Sequence, residues 1–238
     1  MDPMTTTRDR TTTLTQTQSV YQALRDAILG VELRPGEAIS ERWLEGRLAA
    51  SRTPVRSALV RLEGEGLVQR QGRGYIVTPI DIGEIEQAYV FRETIEMTVV
   101  RLAAARADAL DLSGIEPLIL PEVRDTSSDE WFDIGIAFHV ELARLSGNAF
   151  FVRAIDDVMT RIARGRWLEI WSTGGRERAF MEHERIVELV TGGAGDEAAQ
   201  AVQAHVRHGR DRLLDALKTQ RRGFAVRGFA VLDGPEVA

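Results

Sequence analysis

Hydrophobic residues recur at helical spacing near the start of the chain and predict three short helices. Gly30 ends the first helix, and Ser40 is a good N-cap for the second. Thr53 is the expected N-cap of the third, with Pro54 at the first helical position, where its missing N–H costs nothing. The apolar faces consist of Val20, Leu24, Ala27 and Ile28, then Trp43, Leu44 and Leu48, then Val55, Ala58, Leu59 and Leu62.

Two short β-prone runs, at 67–71 and 75–78, follow these helices and flank the turn Gly72-Arg73-Gly74. Such runs around glycines predict a β-hairpin. Three helices and a hairpin make a module of about 60 residues, which is large enough to fold alone. We place this module at residues 18–79, after a flexible leader of residues 1–17 that lacks hydrophobic periodicity.

The rest of the chain lacks strand alternation and is expected to be helical. A linker of residues 80–83 leads into a predicted domain of residues 84–222, and residues 223–238 form a tail without a predicted role. The predicted helices occupy approximately residues 84–107, 111–119, 129–145, 148–171, 176–191 and 195–219. About six helices with short connections are typical of an antiparallel bundle, so the fold class is mainly α.

Composition and charge narrow the choice of function. The 238 residues contain no cysteine, which excludes disulfide scaffolds, thiolate metal sites and cysteine nucleophiles. No apolar run reaches the roughly 18 residues that a membrane span needs, so a cytoplasmic protein without a membrane partner is expected. The net charge is −6, but residues 18–79 carry nine basic and seven acidic side chains. A mildly basic N-terminal segment followed by an acidic remainder is consistent with a chain that binds a polyanion through its N-terminal segment alone.

Two arginines at the start of the third predicted helix are candidates for contact with DNA. Arg52 precedes the expected cap and Arg56 lies at the third helical position, so both project from one helix end. In a helix-turn-helix unit that end enters the major groove, where arginine binds guanine O6 and N7. The candidates for backbone and minor-groove contacts are Ser51, Thr53, Arg42 and, at the hairpin tip, Arg73. The alternative is an ordinary solvated helix end.

A long, ungapped stretch of this segment resembles the winged-helix signature of GntR-type bacterial transcription regulators: Leu48-x-x-Ser51-Arg52-Thr53-Pro54-Val55-Arg56-x-Ala58-Leu59-x-x-Leu62-x-x-Glu65-Gly66-Leu67. The resemblance implies a winged helix-turn-helix domain. It implies that Arg42, Arg52, Arg56 and the wing around Gly72 contact DNA, with Pro54 inside the same DNA-binding segment. Ser57 departs from the family, which usually has an acidic residue there.

Three of the four histidines fall in three different predicted helices, each beside apolar neighbours: His139, His183 and His205. Three imidazoles brought together inside a bundle would hold a divalent metal, with water or a ligand anion completing the site. The alternative is that each histidine is partly buried and hydrogen-bonded on its own helix. The spacing leaves both interpretations open.

The helical region resembles the FCD domain of the FadR subgroup, and its six predicted helices resemble the VanR branch. The matching segments are Arg92-x-x-Ile95-Glu96, Phe138-His139…Gly147-Asn148, His183-x-x-Ile186 and Gly195-Asp196-x-x-x-Ala199-x-x-x-x-x-His205. The resemblance implies a bundle that senses a small carboxylate and binds zinc, nickel or manganese through one Asp and three His. The histidines map onto His139, His183 and His205, but the Asp position is Gly135. Asp133 lies roughly 240° round the helix from His139 and is a poor substitute.

Arg92 is the candidate for binding an effector carboxylate, because a guanidinium fork matches that group, and Asn148 is a candidate for a further polar contact. The alternative for Arg92 is an i,i+4 pair with Glu96.

Together these features predict a homodimeric, ligand-responsive repressor, not an enzyme, that binds a palindromic operator in double-stranded DNA and responds to an organic or sugar acid. Two alternatives stay open. One is a constitutive DNA-binding dimer with a degenerate, metal-free pocket, which Gly135 favours. The other is a metal-dependent hydrolase with Glu182 or Glu184 as its general base.

Overall fold

A computed structural model describes residues 15–169 and 173–234 of the chain. The N-terminal unit is a winged helix-turn-helix module, as predicted, in which three helices support a three-stranded antiparallel sheet. Its helices are α1 (Gln16–Leu29), α2 (Glu41–Leu48) and α3 (Arg52–Gly64), and its strands are β1 (Ala38–Ile39), β2 (Val68–Gln71) and β3 (Gly74–Val77). The strand order β1-β3-β2 confirms the predicted hairpin and adds β1 at its edge.

Two helices of the module begin earlier than the sequence predicts. Thr15 caps α1 in a capping box with Gln18, so the leader prediction is wrong for residues 16 and 17, while residues 1–14 lie outside the described part. Ser51, not Thr53, is the N-cap of α3. Pro54 is therefore the third helical residue and Arg56 the fifth. A proline is accepted there because the first four N–H groups of a helix have no intrahelical partner.

The C-terminal unit is a helical bundle. Its α-helices among the described residues are α4 (Ile82–Ala104), α5 (Ser128–Leu145), α6 (Ala149–Glu169), α7 (Thr173–Thr191) and α8 (Gly195–Val226). The predicted helix at 111–119 is not an α-helix. Short 3₁₀ turns at Ala107–Ala109, Glu116–Ile119 and Pro121–Asp125 fill this region instead, because Pro117 and Pro121 prevent a continuous backbone hydrogen-bond ladder.

The predicted linker and tail also take regular structure. Helix α4 already begins at Ile82, inside the predicted linker 80–83. Helix α8 runs on to Val226, beyond the predicted boundary at 222. The chain then returns, and strand β5 (Val231–Leu232) pairs in parallel with strand β4 (Ile80–Asp81).

The bundle and the module each have a hydrophobic core, and the two cores meet. Phe138, Ile155, Ile186 and Val202 belong to the bundle core and are fully buried. The core of the module includes two side chains from the bundle, Phe132 of α5 and Ala163 of α6. The two units therefore share a packed boundary. Within the described segments, every helix is too short or too polar to cross a membrane.

Candidate DNA-binding surface and metal centre

The outer face of α3 presents the polar residues that the sequence predicts for DNA contact. Arg52, Thr53, Arg56 and Ser57 line an open groove along this face. The opposite face of the helix is buried against the module core through Val55, Ala58, Leu59 and Leu62. Burial of one face thus orients the other outward. Pro54 is also buried, so of the predicted DNA-binding residues it is one that faces the core.

Arg52 carries a local counterion. Its side chain is 74% exposed, and its Nε donates to Glu41 Oε2 at 2.9 Å. This hydrogen bond and the charge of Glu41 raise the pKa of Arg52. The pair joins the start of α3 to the start of α2, so it holds the Arg52 guanidinium beside the exposed N-terminal end of α3.

The other predicted DNA-binding residues surround this helix end. Ser51 and Arg42 are exposed, and Arg73 is exposed at the hairpin turn, where Gly72 has a positive φ of 58°. Exposed residues that the sequence reasoning missed are Trp43 and Arg47, whose guanidinium lies 5.3 Å from the Trp43 ring centre. Hydrophobic periodicity predicts that Trp43 lies in the core. Sequence spacing does not mark a cation–π pair, so no signal in the sequence pointed to Arg47.

In the bundle, the three predicted histidines come together. His139 of α5, His183 of α7 and His205 of α8 are 1%, 2% and 5% exposed. The Nε2 atom of His205 lies 3.3 Å from that of His183 and 3.4 Å from that of His139. Among the described residues that could ligate a metal, these three form a group without a carboxylate.

Two carboxylates orient the imidazoles: Glu96 is buried, and Glu182 is partly exposed. His139 Nδ1 donates to Glu96 Oε2 at 2.9 Å, and His205 Nδ1 donates to Glu182 Oε2 at 2.8 Å. A neutral imidazole that donates through Nδ1 carries a lone pair on Nε2. The unprotonated Nε2 atoms of His139 and His205 therefore face each other, with Arg92 Nη2 3.1 Å from the first and His183 Nε2 3.3 Å from the second. His183 is fixed by stacking on Phe138, with ring centroids 3.7 Å apart.

The histidine cluster fits a divalent metal. Tetrahedral coordination with metal–nitrogen bonds of about 2.0–2.1 Å places ligand nitrogens about 3.3 Å apart. The separations of His205 Nε2 from the other two Nε2 atoms agree with this value. Neutral imidazoles suit zinc and nickel better than calcium or magnesium. Orientation through the second ring nitrogen is the usual arrangement of metal-binding histidines. The three histidines lie together and do not occupy separate sites, although they are also buried and, for His139 and His205, hydrogen-bonded to carboxylates, as the alternative supposes.

Gly135 and Asp133 behave as the sequence predicts. Gly135 is buried one helical turn before His139 and offers no ligand, while the side chain of Asp133 is exposed. Glu96 is a carboxylate in contact with His139, but it binds Nδ1 and not Nε2, the atom that faces the other histidines.

Arg92 adopts the alternative arrangement considered for it. It forms a buried i,i+4 ion pair with Glu96, with Nε 2.8 Å from Oε1. Its Nη2 also lies 3.1 Å from His139 Nε2, so the guanidinium borders the cluster. Burial raises the pKa of Glu96, but the charge of Arg92 and the hydrogen bonds from His139 and Arg92 lower it more, and the carboxyl stays ionised.

The other predicted effector contact lies at a helix end. Asn148 precedes α6, and its Oδ1 accepts a hydrogen bond from Phe150 N at 2.9 Å. This amide therefore acts as a helix cap, and the described hydrogen bonds do not connect it to the histidines.

The carboxylates considered as general bases have structural partners. Glu182 accepts hydrogen bonds from Nδ1 of both His205 and His208 at 2.8 Å. Glu184 accepts from Arg124 Nη2 at 3.2 Å. Glu182 thus orients a histidine, and Glu184 is held in an exposed ion pair.

Acidification is expected to destabilise the metal-free protein. Burial lowers the pKa of His139 to about 3 and also lowers the pKa of His205, against an ordinary value of 6.5. Below pH 6.5 the unfolded chain therefore binds protons that the folded chain does not, and stability is lost as the pH falls. By linkage, a histidine that stays neutral in the fold costs about 2 kcal/mol at pH 5.

Urea unfolding at pH 7 and pH 5 measures this loss. His208→Ala is the control, because His208 is half exposed and should leave most of the pH dependence unchanged. Equal stability at the two pH values would contradict a cluster of buried, neutral histidines.

Comparison with known proteins agrees with both units. Residues 16–77 match the family described as bacterial regulatory proteins, gntR family, and residues 87–208 match the FCD domain. The Nta operon transcriptional regulator of Aminobacter aminovorans is 30% identical over 78% of this chain and 88% of its own length. The HTH-type transcriptional repressor RspR of Escherichia coli K12 is 25% identical over 79% of this chain and 85% of its own.

The fold also matches a solved structure. A transcriptional regulator GntR from Rhodococcus sp. RHA1 has a TM-score of 0.72 and 23% sequence identity, and the match covers 84% of this chain and 98% of that one. The relatives are transcriptional regulators and not enzymes, which excludes the hydrolase alternative. From its two matched domains and its relatives, this chain belongs to the GntR family of bacterial transcription regulators and carries a C-terminal FCD domain.

Proposed function

We propose that this regulator is a homodimeric repressor that binds a palindromic operator through α3 and responds to a small carboxylate bound at the histidine cluster. The observation that carries the proposal is the exposed, arginine-bearing N-terminal end of α3. Arg52 and Arg56 line the outer face of this helix while its other face is buried in the module core. In this arrangement the helix end reads base edges in the major groove.

The surrounding residues would position the module on the DNA. Arg42 on α2 and Arg73 at the wing tip are exposed on either side of α3, and their charges suit phosphates or the minor groove. Such contacts fix the register of the module, whereas Arg52 and Arg56 would select the sequence through guanine O6 and N7.

In the bundle, we propose that the histidine cluster holds zinc, nickel or manganese through His139, His183 and His205. The metal would supply positive charge and exchangeable positions for an anionic ligand. The ionised side chains nearest the cluster are Arg92, Glu96 and Glu182, which together carry one negative charge, so a divalent metal would leave the site with one positive charge. Because no carboxylate of the described chain ligates directly, a carboxylate from the effector would complete and neutralise the site.

The homodimer has a candidate contact face. Val90 and Phe91 of α4 are 60% and 44% exposed, and Phe150 at the start of α6 is 78% exposed. Large apolar side chains at such exposure are commonly covered by a partner. A two-fold dimer would place two modules on two half-sites of a palindrome. The effector would then change operator affinity by favouring one spacing of the modules, with a coupling energy of about 1–3 kcal/mol.

The second candidate function is a constitutive DNA-binding dimer without a metal. Gly135 is the observation that favours it, since a buried glycine stands one turn before His139, where a carboxylate would reach the cluster.

A thermal-shift screen decides between the two candidates. Zn²⁺, Ni²⁺ or Mn²⁺ together with an organic or sugar acid is expected to raise the melting temperature more than either alone. A ligand at 100 times its dissociation constant stabilises the native state by about 2.7 kcal/mol. If no metal and no acid shifts the transition of the purified protein, the constitutive dimer is the better description.

A further inference from the structure

The sequence Gly-Phe-Ala-Val occurs twice in close succession, at 223–226 in the end of α8 and at 228–231 after it, and the second copy crosses the junction between the two units. We call residues 224–233 the strap. Phe224, still within α8, is 2% exposed and belongs to the bundle core. The chain reverses at Gly228, whose positive φ of 80° suits glycine. Phe229 N then donates to Phe224 O at 2.9 Å. The start of the strap is thus anchored in the bundle.

Ala230 connects this anchor to the DNA-binding module. Its N–H donates to the carbonyl of Pro35, in the turn between α1 and β1, at 2.9 Å. Its carbonyl accepts from Ile80 N at 3.0 Å, and the pairing continues as strand β5 beside β4. Both backbone groups of one residue therefore join α8 to the module and to the linker that follows it.

The surface of the DNA-binding module that contacts the strap leaves little space around it. A Cβ at Gly36, next to Pro35, would lie 2.5 Å from the Cβ of Ala230. At the far end, Asp233 Oδ1 accepts from Arg221 Nη1 of α8 at 2.6 Å. The strap is therefore a fitted segment that is closed onto its own helix by an ion pair.

Elsewhere at the junction, some buried polar groups lack hydrogen-bond partners. Arg164 of α6 donates through Nη1 to the carbonyl of Thr78, at the end of the module. Arg164 Nε and Thr78 Oγ1 are nevertheless buried without hydrogen-bond partners. Burial of unpaired polar groups costs free energy, so this contact weakly opposes docking. The fully paired backbone of Ala230 offsets that cost, and the strap thus adds to the packing of Phe132 and Ala163 and to the Arg25–Thr160 hydrogen bond in holding the module on the bundle.

Helix α8 also links the strap to the histidine cluster. His205 lies in the first third of this 32-residue helix, and the strap leaves its C-terminal end. A helix transmits an axial shift or rotation because its backbone hydrogen bonds are continuous. A change in the position of His205 would therefore reach Ala230 and the Pro35 turn without passing through flexible chain.

We propose that the strap fixes the placement of the DNA-binding module on the bundle and transmits movement of α8 at the histidine cluster to that module. The first part stands on the junction alone, and the second rests on the proposed function. The strap is thus a built-in coupling device between the sensing and DNA-binding units.

Spin-label distance measurement tests the placement directly, because the chain has no cysteine of its own. Cysteines introduced as Gln71→Cys in the wing and Glu188→Cys on α7 are both at exposed positions. Labelled chains are diluted with unlabelled protein, so that each dimer holds one labelled pair. The variants are Ala230→Pro, which removes the donor to Pro35, and a chain that ends at Arg227. A chain that ends at Gly234 is the matched control because it keeps the strap.

The full chain and the control are expected to give one narrow distribution of distances. Ala230→Pro and the chain ending at Arg227 are expected to give a distribution at least about twice as wide. The second variant guards against a local effect of proline. Equal width and equal mean distance in all four proteins would overturn the proposal, and this readout requires neither DNA nor metal.

A second measurement tests transmission, with Zn²⁺ in acetate buffer as the probe and a duplex that the protein selects from a random pool. In the full chain Zn²⁺ is expected to change DNA affinity about 5- to 150-fold, the usual range of coupling between sites. The strap variants should retain less than about a twofold change. A full response in those variants overturns transmission. Absence of any response in the full chain counts against the proposed function, while the distance distributions still decide the role of the strap.

Discussion

Arg56→Ala is expected to weaken binding to the selected DNA duplex by about 5- to 150-fold, which corresponds to about 1–3 kcal/mol, and Arg52→Ala by a similar amount. Both side chains are exposed on the outer face of α3, so their loss removes contacts with DNA and little packing. Because Arg52 is also paired with Glu41, part of its effect is offset by release of that pair. Fluorescence anisotropy titration against labelled duplex measures the change.

The control for these variants is Arg185→Ala. Arg185 is an exposed arginine of α7 whose partner, Glu188, lies one turn away on the same helix. It carries the same charge but belongs to the bundle, so its replacement should leave DNA affinity within about twofold. The melting temperatures of all three variants should match that of the parent. Equal loss of affinity in all three would mean that overall charge, and not the end of α3, governs binding.

His183→Ala is expected to abolish stoichiometric metal binding, with metal affinity reduced by more than about 100-fold. The variant removes one of three converging nitrogens, whereas loss of a residue that only orients a ligand costs about 10- to 100-fold. Glu96→Gln is therefore expected to show the smaller effect, since Glu96 orients His139 without ligating. Metal content after dialysis and calorimetric titration with Zn²⁺ measure both variants.

A gain of affinity provides the complementary test. Gly135→Asp places a carboxylate one turn before His139, on the same face of α5, and should tighten metal binding in the absence of an organic acid. Gly135→Asn has nearly the same shape without the charge and is the matched control. His208→Ala should retain the metal, because His208 is outside the converging group. Full metal content in His183→Ala would remove His183 from the site.

The parts of the fold that could be predicted are those set by local periodicity. The apolar faces of α1 and α3, the glycine turn of the hairpin and the division into a small module and a bundle follow from spacing alone. The start of α3 could not be fixed, since Ser51 and Thr53 are both good caps and Pro54 is accepted anywhere in the first turn. Pro117 and Pro121 interrupt the region before α5, so the spacing of its apolar residues does not lead to an α-helix there.

Within the candidate site, residue types were predictable but partners were not. The spacing of the histidines left a shared site open, the resemblance to the FCD domain favoured it, and the structure brings the three side chains together. The roles of Glu96 and Glu182 depend on how α4, α7 and α8 pack, which sequence spacing does not encode. The pairing of Ala230 with Pro35 and Ile80 joins backbone groups far apart in the chain, so no local signal marked the strap.

The central claim is that the N-terminal end of α3 enters the major groove of DNA, and protection of guanine N7 from methylation tests it most directly. N7 lies in the major groove, where arginine binds it. On a duplex selected by this protein, guanines in two half-sites about one helical turn apart, or a multiple of that spacing, should be protected. Arg56→Ala should lose protection at a subset of these guanines. Binding that leaves every guanine N7 reactive, or no binding to duplex DNA at low salt, would contradict the account.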